Sequence, residues 1–348
     1  MIPRPSVGRA AAVHRRERRE RREKQRIFSP PPHLSFSAFS APSAASALGL
    51  SVRLTLLGGL LVLAGCGAAG LLAQHEFDGQ QAMKYVDTQI AFGPRIPNTD
   101  GHRKTGDWIL AQLKARADSV EVQAFTHVSV AGDTLHLRNF IGRFRPEARD
   151  RILYLAHWDT RPHAERSANL ADQQRPVPGA DDGASGVAVL LGVADALKKQ
   201  APAMGVDLLF VDGEDYGDFE VNKDVLLGAR YYAAHLAADD LPLFAVLFDM
   251  VGDQQPEFLM EGNSLAKAPE VVERVWGKAR ELGYERYFRS TDQGAITDDH
   301  IPLQDAGVHA IDVIDLDYPY WHTTDDTADK LSAKSLQMVG DVAVALLR

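Results

Sequence analysis

The chain has 348 residues, of which 45% are hydrophobic and 24% charged, a composition typical of a globular protein with a large core. The formal net charge is −9, and residues 1–27 hold ten Lys and Arg against three Glu, which leaves −16 for the remainder. Because an acidic body repels phosphate backbones, we expect no nucleic-acid partner. The single cysteine, Cys66, excludes internal disulfides and cysteine-rich metal centres, so a metal would need His and carboxylate ligands.

The first 66 residues divide into two parts. Residues 1–52 are of low complexity, rich in Arg and Glu up to Arg26 and then in Ser, Ala and Pro, without apolar periodicity. We interpret them as disordered or as an over-extended start of the chain, and assign them no fold. Residues 53–66 place a positive charge before about a dozen apolar residues, a pattern typical of a signal peptide and too short to span a bilayer.

The predicted signal segment ends in Leu-Ala-Gly-Cys, with Cys66 last. This end resembles the lipobox of bacterial lipoproteins, in which the cysteine carries the lipid after cleavage. We therefore predict an exported protein that is anchored to a membrane through a lipid on Cys66, in the periplasm or at the cell surface. An ordinary signal peptide, or a buried helix with a chance cysteine, is the alternative.

Residues 67–348 are predicted to form one catalytic domain without an internal boundary. A helix is expected near 80–89, and a second one of about four turns follows the capping residues that begin at Asn98. Two stretches of alternating apolar and polar residues then flank the turn residues Gly132 and Asp133, which predicts a β-hairpin.

Short apolar runs and helical segments alternate in the rest of the chain. The predicted strands are 151–157, 206–212, 243–249 and 309–315, and the predicted helices are 184–199, 228–238, 268–282 and 332–347. Buried parallel strands with crossover helices explain this alternation best. The fold class is therefore α/β, with a single domain built on a mixed, mostly parallel central sheet flanked by helices.

Polar residues able to bind a metal follow the apolar runs. They are His157 with Asp159, Glu214 with Asp215, Asp249 and His322, and the glycine-rich segment 179–186 adds Asp181 and Asp182. In an open α/β sheet such residues converge beyond the carboxyl ends of the strands. Each alone would be a helix cap or a structural histidine, and two aspartates without a following lysine would repel phosphate. Together they indicate a zinc site with carboxylate and histidine ligands.

The chain from about residue 90 to 348 resembles the zinc exopeptidase superfamily of the bacterial leucyl aminopeptidases. The segments that carry the resemblance are HWD (157–159), GADDGASG (179–186), FVDGED (210–215), LFDMVG (247–252), TDDHIPL (297–303) and YWHTTDD (320–326). Within that superfamily, the fifth and sixth segments look more like the glutaminyl cyclases (glutaminyl-peptide cyclotransferases) than like typical aminopeptidases. The resemblance implies a zinc exopeptidase-like fold and an enzyme that acts on the N-termini of peptides or proteins.

The resemblance also implies the metal ligands. Asp182, Asp215 and His322 would hold a catalytic zinc with a fourth position open to substrate. Aminopeptidases of the superfamily hold a second zinc through the positions matching His157 and Asp249, with Asp182 as the bridge. Cyclases that use one zinc retain these residues too, so one zinc is implied for a cyclase and two for an aminopeptidase. Cyclases usually have Glu at the position of Asp215, although the shorter Asp remains a legitimate ligand.

The same resemblance assigns the catalytic and substrate-binding residues. Glu214 would be the general acid/base, and Asp249 and Asp298 match an acidic network beside it that shares protons. Trp321 matches an aromatic wall for the substrate, although simple core packing would also explain it. The resemblance therefore implies that Glu214 moves the proton while its neighbour Asp215 binds the metal.

Three functions follow from these residues. The cyclase converts an N-terminal Gln to pyroglutamate and ammonia, and we consider it first. The alternative is a zinc aminopeptidase, in which Glu214 activates water against the first peptide bond; it is favoured by Leu226 and its aliphatic neighbours, where related cyclases carry a tryptophan. A minor alternative is a metal- or peptide-binding lipoprotein without turnover, which would predict loss of the acid/base, whereas Glu214 is present.

Overall fold

The computed structural model describes residues 75–348, so the segments 1–52 and 53–66, with Cys66, lie outside the described residues. Eight helices lie in the described part: α1 (Gly79–Ala91), α2 (Asp100–Lys114), α3 (Ala184–Lys199), α4 (Leu227–Ala234), α5 (Gly262–Lys267), α6 (Pro269–Glu281), α7 (His300–Asp305) and α8 (Ala333–Ala345). The eight strands of the same part are β1 (Ser119–Val128), β2 (Thr134–Phe144), β3 (Arg151–His157), β4 (Gly205–Val211), β5 (Phe244–Asp249), β6 (Phe258–Glu261), β7 (Phe288–Gly294) and β8 (Ala310–Ile314).

The first two helices begin at capping residues. The Asp78 carboxylate accepts a hydrogen bond from the backbone N–H of Gln81 at the start of α1. The Thr99 hydroxyl accepts one from the backbone N–H of His102 at the start of α2. Each cap satisfies a backbone donor that has no partner inside the helix, which is why the sequence signal located these helices closely.

The central sheet has six strands in the order β1-β2-β4-β3-β5-β8. Strands β3, β4, β5 and β8 are parallel, and the hairpin β1–β2 joins them through an antiparallel pairing of β2 with β4. The four parallel strands are buried almost throughout, because helices cover both faces of the sheet. The predicted α/β fold with a mixed, mostly parallel sheet is confirmed.

Helices pack on both faces of the central sheet. Helix α3 is buried on nearly all sides, since it lies between the sheet and the helices α1 and α8. The side chain of Phe77 fills the narrow space at this junction: a Cβ added to Gly192 or to Gly340 would lie 2.3 Å from its ring. On the opposite face, α4 and α7 cover a smaller apolar cluster that includes Leu155 and Leu247.

Some elements differ from the prediction. Strands β6 and β7 form a separate two-stranded parallel sheet that the sequence did not reveal, because β6 has four residues and β7 is mostly exposed and polar. The six-residue helices α5 and α7 are too short to show a period. Helix α4 ends at Ala234, earlier than predicted. Within residues 75–348, no helix combines the length and hydropathy that crossing a membrane requires.

Candidate metal centre

The predicted site residues meet at the carboxyl ends of the parallel strands. His157 is the last residue of β3, and Asp249 is the last residue of β5. Strand β3 pairs with both β4 and β5, so the residues that follow β4, Glu214 and Asp215, come close to them. Parallel strands thus bring together residues that are far apart in sequence.

Asp182, Asp215 and His322 form a first set of possible metal ligands. One ligand atom from each lies within 4.8 Å of the others, and all three residues are buried. The Nε2 atom of His322 is 3.6 Å from Asp182 Oδ2 and 3.5 Å from Asp215 Oδ1. His322 has a φ of 57°, a left-handed conformation that non-glycine residues adopt at some cost and that is often kept at functional sites.

A second set of possible ligands consists of His157, Asp182 and Asp249. One ligand atom from each again lies within 4.8 Å of the others. The Nε2 atom of His157 lies 3.1 Å from Asp182 Oδ1 and 3.2 Å from Asp249 Oδ1. Asp182 therefore turns one oxygen toward each histidine. This is the arrangement expected of a carboxylate that bridges two metal positions.

The chemistry of these groups fits a bound divalent cation. Asp182 Oδ2 and Asp215 Oδ2 are buried and have no hydrogen-bond partner, which is costly in a protein interior. Burial raises the pKa of Asp215 to about 7, and the charge of Asp182 adds to this effect. A cation would neutralise the crowded carboxylates, and a set of His nitrogen and carboxylate oxygens suits zinc.

Two further buried carboxylates fix the backbone of the ligand segments. The Asp159 carboxylate accepts hydrogen bonds from the backbone N–H groups of Glu214 and Asp215, at 3.0 and 3.2 Å. The Asp326 carboxylate accepts from the backbone N–H groups of residues 181 and 182, at 2.8 and 3.2 Å. Asp159 was predicted among the possible metal-binding groups, but it belongs to neither ligand set and holds the backbone instead. The role of Asp326 was not predicted.

Glu214 lies beside the ligands but belongs to neither set. Its Oε2 atom is 3.7 Å from His157 Nδ1, and the side chain is buried. Burial raises the pKa of Glu214 well above its usual range, and the neighbouring charge of Asp215 raises it further although His157 opposes this. A carboxyl group with a raised pKa can both accept and return a proton near neutral pH.

Asp298 extends this acidic region away from the metal ligands. Burial raises the pKa of Asp298 well above its usual range, and the charges of Asp312 and Asp249 add to the effect. Its neighbour Asp299 is also buried, and burial chiefly raises its pKa to about 8. The sequence analysis did not single out Asp312, which lies on β8 and has no metal-binding motif around it.

Trp321 lies at the edge of the site and is partly exposed. Its ring centroid is 4.4 Å from that of His322, and the guanidinium of Arg166 lies 3.9 Å from the Trp321 ring centroid. The indole therefore lies next to His322, and it also packs against the apolar cluster of Met250, Ile314 and Tyr318. Its role as a wall for the substrate stays a prediction. His300 lies between two acidic residues: its Nε2 atom is 3.2 Å from Glu261 Oε2, at the end of β6, and its Nδ1 atom is 3.8 Å from Asp312 Oδ2.

Arg95 is a buried residue that the sequence analysis missed. Its guanidinium donates to the backbone carbonyl oxygens of Trp158, Pro178 and Gly179, at 2.9, 3.0 and 2.6 Å. It thus ties the segment after β3 to the loop that carries Asp182. An isolated arginine in a loop has no sequence pattern that would reveal such contacts.

The chain is similar to known proteins. Residues 139–347 match Peptidase family M28. Glutaminyl-peptide cyclotransferase of Bos taurus is 28% identical over 283 residues, which cover 71% of this chain and 76% of the bovine protein.

The chain is also similar to solved structures. The glutaminyl cyclase of Porphyromonas gingivalis is 37% identical with a TM-score of 0.76, and the match covers 78% of this chain and 98% of that one. A Zn-dependent exopeptidase from Parabacteroides distasonis is 36% identical with a TM-score of 0.76 and the same coverage. The similarity therefore extends to cyclases and to exopeptidases alike.

Proposed function

Because this chain belongs to peptidase family M28, we propose that it is a zinc-dependent glutaminyl-peptide cyclotransferase, which converts an N-terminal Gln to pyroglutamate and ammonia. The observation that carries the enzymatic part of the proposal is the buried carboxyl group of Glu214, which lies beside the ligand sets and interacts electrostatically with Asp298 and Asp299. The similarity to cyclases of animals and bacteria supports it.

The proposed reaction assigns a task to each group. Zinc held by Asp182, Asp215 and His322 would polarise the side-chain amide carbonyl of the substrate glutamine. Glu214 takes a proton from the α-amine as its nitrogen bonds to the amide carbon, and returns the proton to the departing ammonia. Burial favours a protonated Glu214 between these steps because it raises the pKa of that carboxyl group, and the charges of Asp215 and Asp299 add to this effect.

The wall formed by Trp321 would confine the substrate. The glutamine side chain must fold back toward its own α-amine to form the five-membered ring. A rigid aromatic surface next to His322 limits the other conformations and so lowers the entropic cost of that geometry.

A zinc aminopeptidase is the second candidate, and it is favoured by the buried Leu226 and its aliphatic neighbours, where related cyclases carry a tryptophan. His157 and Asp249 are in place to hold another zinc together with Asp182. In that reaction Glu214 would take a proton from water as it attacks the first peptide bond. Both candidates therefore need the same acid/base, and they differ in product and in zinc count.

An assay on two peptides separates the candidates. We expect the purified protein to release ammonia from a peptide that begins with Gln and to leave a peptide that begins with Leu uncut, with about one zinc per chain. Product masses, ammonia and protein-bound zinc are measured on the same sample. Cleavage of the first residue with about two zincs per chain would replace the cyclase by the aminopeptidase.

We also propose that the protein is exported and anchored by a lipid on Cys66, which rests on the sequence alone. In bacteria that express the full chain, we expect the protein in the membrane fraction and the Cys66→Ser variant in the soluble fraction or retained as the uncleaved precursor. Fractionation and the mass of the N-terminal peptide test this. A wild-type N-terminus without lipid would contradict it.

A further inference from the structure

The loop after β3 runs beside the segment that carries His322. The backbone N–H of Arg166 donates to the carbonyl oxygen of His322 at 3.1 Å. The backbone N–H of Thr324 donates to the hydroxyl of Ser167 at 3.1 Å. The two segments are therefore joined along several residues, although 157 positions separate them in sequence.

Glu165 contacts the outer side of the His322 ring. Its Oε1 atom lies 2.7 Å from His322 Nδ1, while Nε2 of the same ring faces Asp182 and Asp215. If Nε2 binds a metal, the ring carries its proton on Nδ1 and donates it to Glu165. Such a partner fixes both the tautomer and the direction of a histidine ligand.

Arg161 connects Glu165 with a second ligand. Its Nε atom donates to both carboxylate oxygens of Glu165, at 2.9 and 2.8 Å, and Nη1 donates to Asp215 Oδ1 at 2.7 Å. The other oxygen of Asp215, Oδ2, is buried without a hydrogen-bond partner, so it stays available to a metal. Arg161 is 13% exposed and Asp215 is 2% exposed, whereas Glu165 is 41% exposed. Solvent therefore screens the contact of Arg161 with Asp215 less than its contact with Glu165.

We propose that Glu165 is a positioning residue, which holds His322 in the orientation that binds metal, and that Arg161 links it to Asp215. The inference rests on the proposed metal site but not on which peptide the enzyme converts. In this proposal, residues of the loop after β3 control how tightly the set Asp182, Asp215 and His322 binds the metal.

Zinc affinity of the purified protein, measured by competition with a chromogenic chelator, tests the proposal. We expect Glu165→Ala to weaken zinc binding by about 10- to 100-fold. Glu165→Gln keeps an acceptor oxygen but loses the charge, so a smaller loss of about three- to tenfold is expected. The controls are Asp172→Ala and Asp172→Asn, since Asp172 lies on the same loop and pairs with Arg175 instead, and they should leave the affinity unchanged.

A double-mutant cycle shows whether the effect acts through His322. In a His322→Ala background Glu165 has no histidine to orient, so Glu165→Ala should lower the remaining zinc affinity by less than it does in the wild-type background. The loss that remains there reports the link through Arg161 to Asp215. The absorption of bound Co²⁺ should change in Glu165→Ala but not in Asp172→Ala. Equal losses in both backgrounds, or an affinity equal to the control, would overturn the proposal.

Two other results would still allow a conclusion about Glu165. If Glu165→Ala does not fold, Glu165→Gln against Asp172→Asn decides the matter by the same measurement. If the wild-type protein converts neither peptide, the proposed reaction fails while the zinc titration still reports on Glu165.

Discussion

Replacing Glu214 with glutamine is expected to lower kcat by about 100-fold or more while zinc stays bound. Glutamine has nearly the shape of glutamate but cannot accept and return a proton. Glu214 belongs to neither set of metal ligands, so its loss should leave the zinc content at the wild-type value. Initial rates at saturating substrate and zinc per chain are measured on the same preparations.

Glu220→Gln is the matched control for this variant. Glu220 lies on the same loop, six residues further along, but its side chain is exposed. Its variant should keep wild-type kcat and zinc. A loss of zinc from Glu214→Gln would show that Glu214 and Asp215 have exchanged roles, and an unchanged kcat would remove Glu214 from the reaction and revive a binding protein without turnover.

The sequence predicted the fold where the physical signal is local. Continuous apolar runs such as 151–157 can be buried on both faces of a sheet, so they predicted parallel strands. Strand β7 was not predicted because its residues are mostly polar and exposed, and it pairs only with the four-residue β6. Short elements that depend on a partner elsewhere in the chain leave little trace in their own residues.

The site was predictable for a related reason. The carboxyl ends of parallel strands meet at one edge, so finding β3, β4 and β5 also located His157, Asp215 and Asp249. Glu165 and Arg161 gave no such signal, because the path of the loop that carries them is set by contacts with a segment more than 150 residues away. The order of the strands therefore predicts which candidate ligands come together, whereas the groups that would orient them can be found only in the structure.

Replacing Asp182 with alanine is expected to remove zinc altogether and to lower kcat/KM by about 1,000-fold or more. Asp182 is shared between both ligand sets, with Oδ1 near His157 and Oδ2 near His322. Its loss therefore takes a ligand from either metal position, whether the enzyme uses one zinc or two. Zinc per chain after dialysis and kcat/KM on the preferred peptide measure the effect.

The neighbouring Asp181 supplies a matched control. Its Oδ1 accepts a hydrogen bond from the backbone N–H of Gly252, and it belongs to neither ligand set. Burial, with the charge of Asp326, raises the pKa of Asp181 well above its usual range, so the neutral Asp181→Asn side chain resembles the protonated acid already favoured there. This variant should keep its zinc. If Asp182→Ala retained zinc and Asp181→Asn lost it, the metal-binding residue of the glycine-rich loop would be Asp181, and both ligand sets would have to be reassigned.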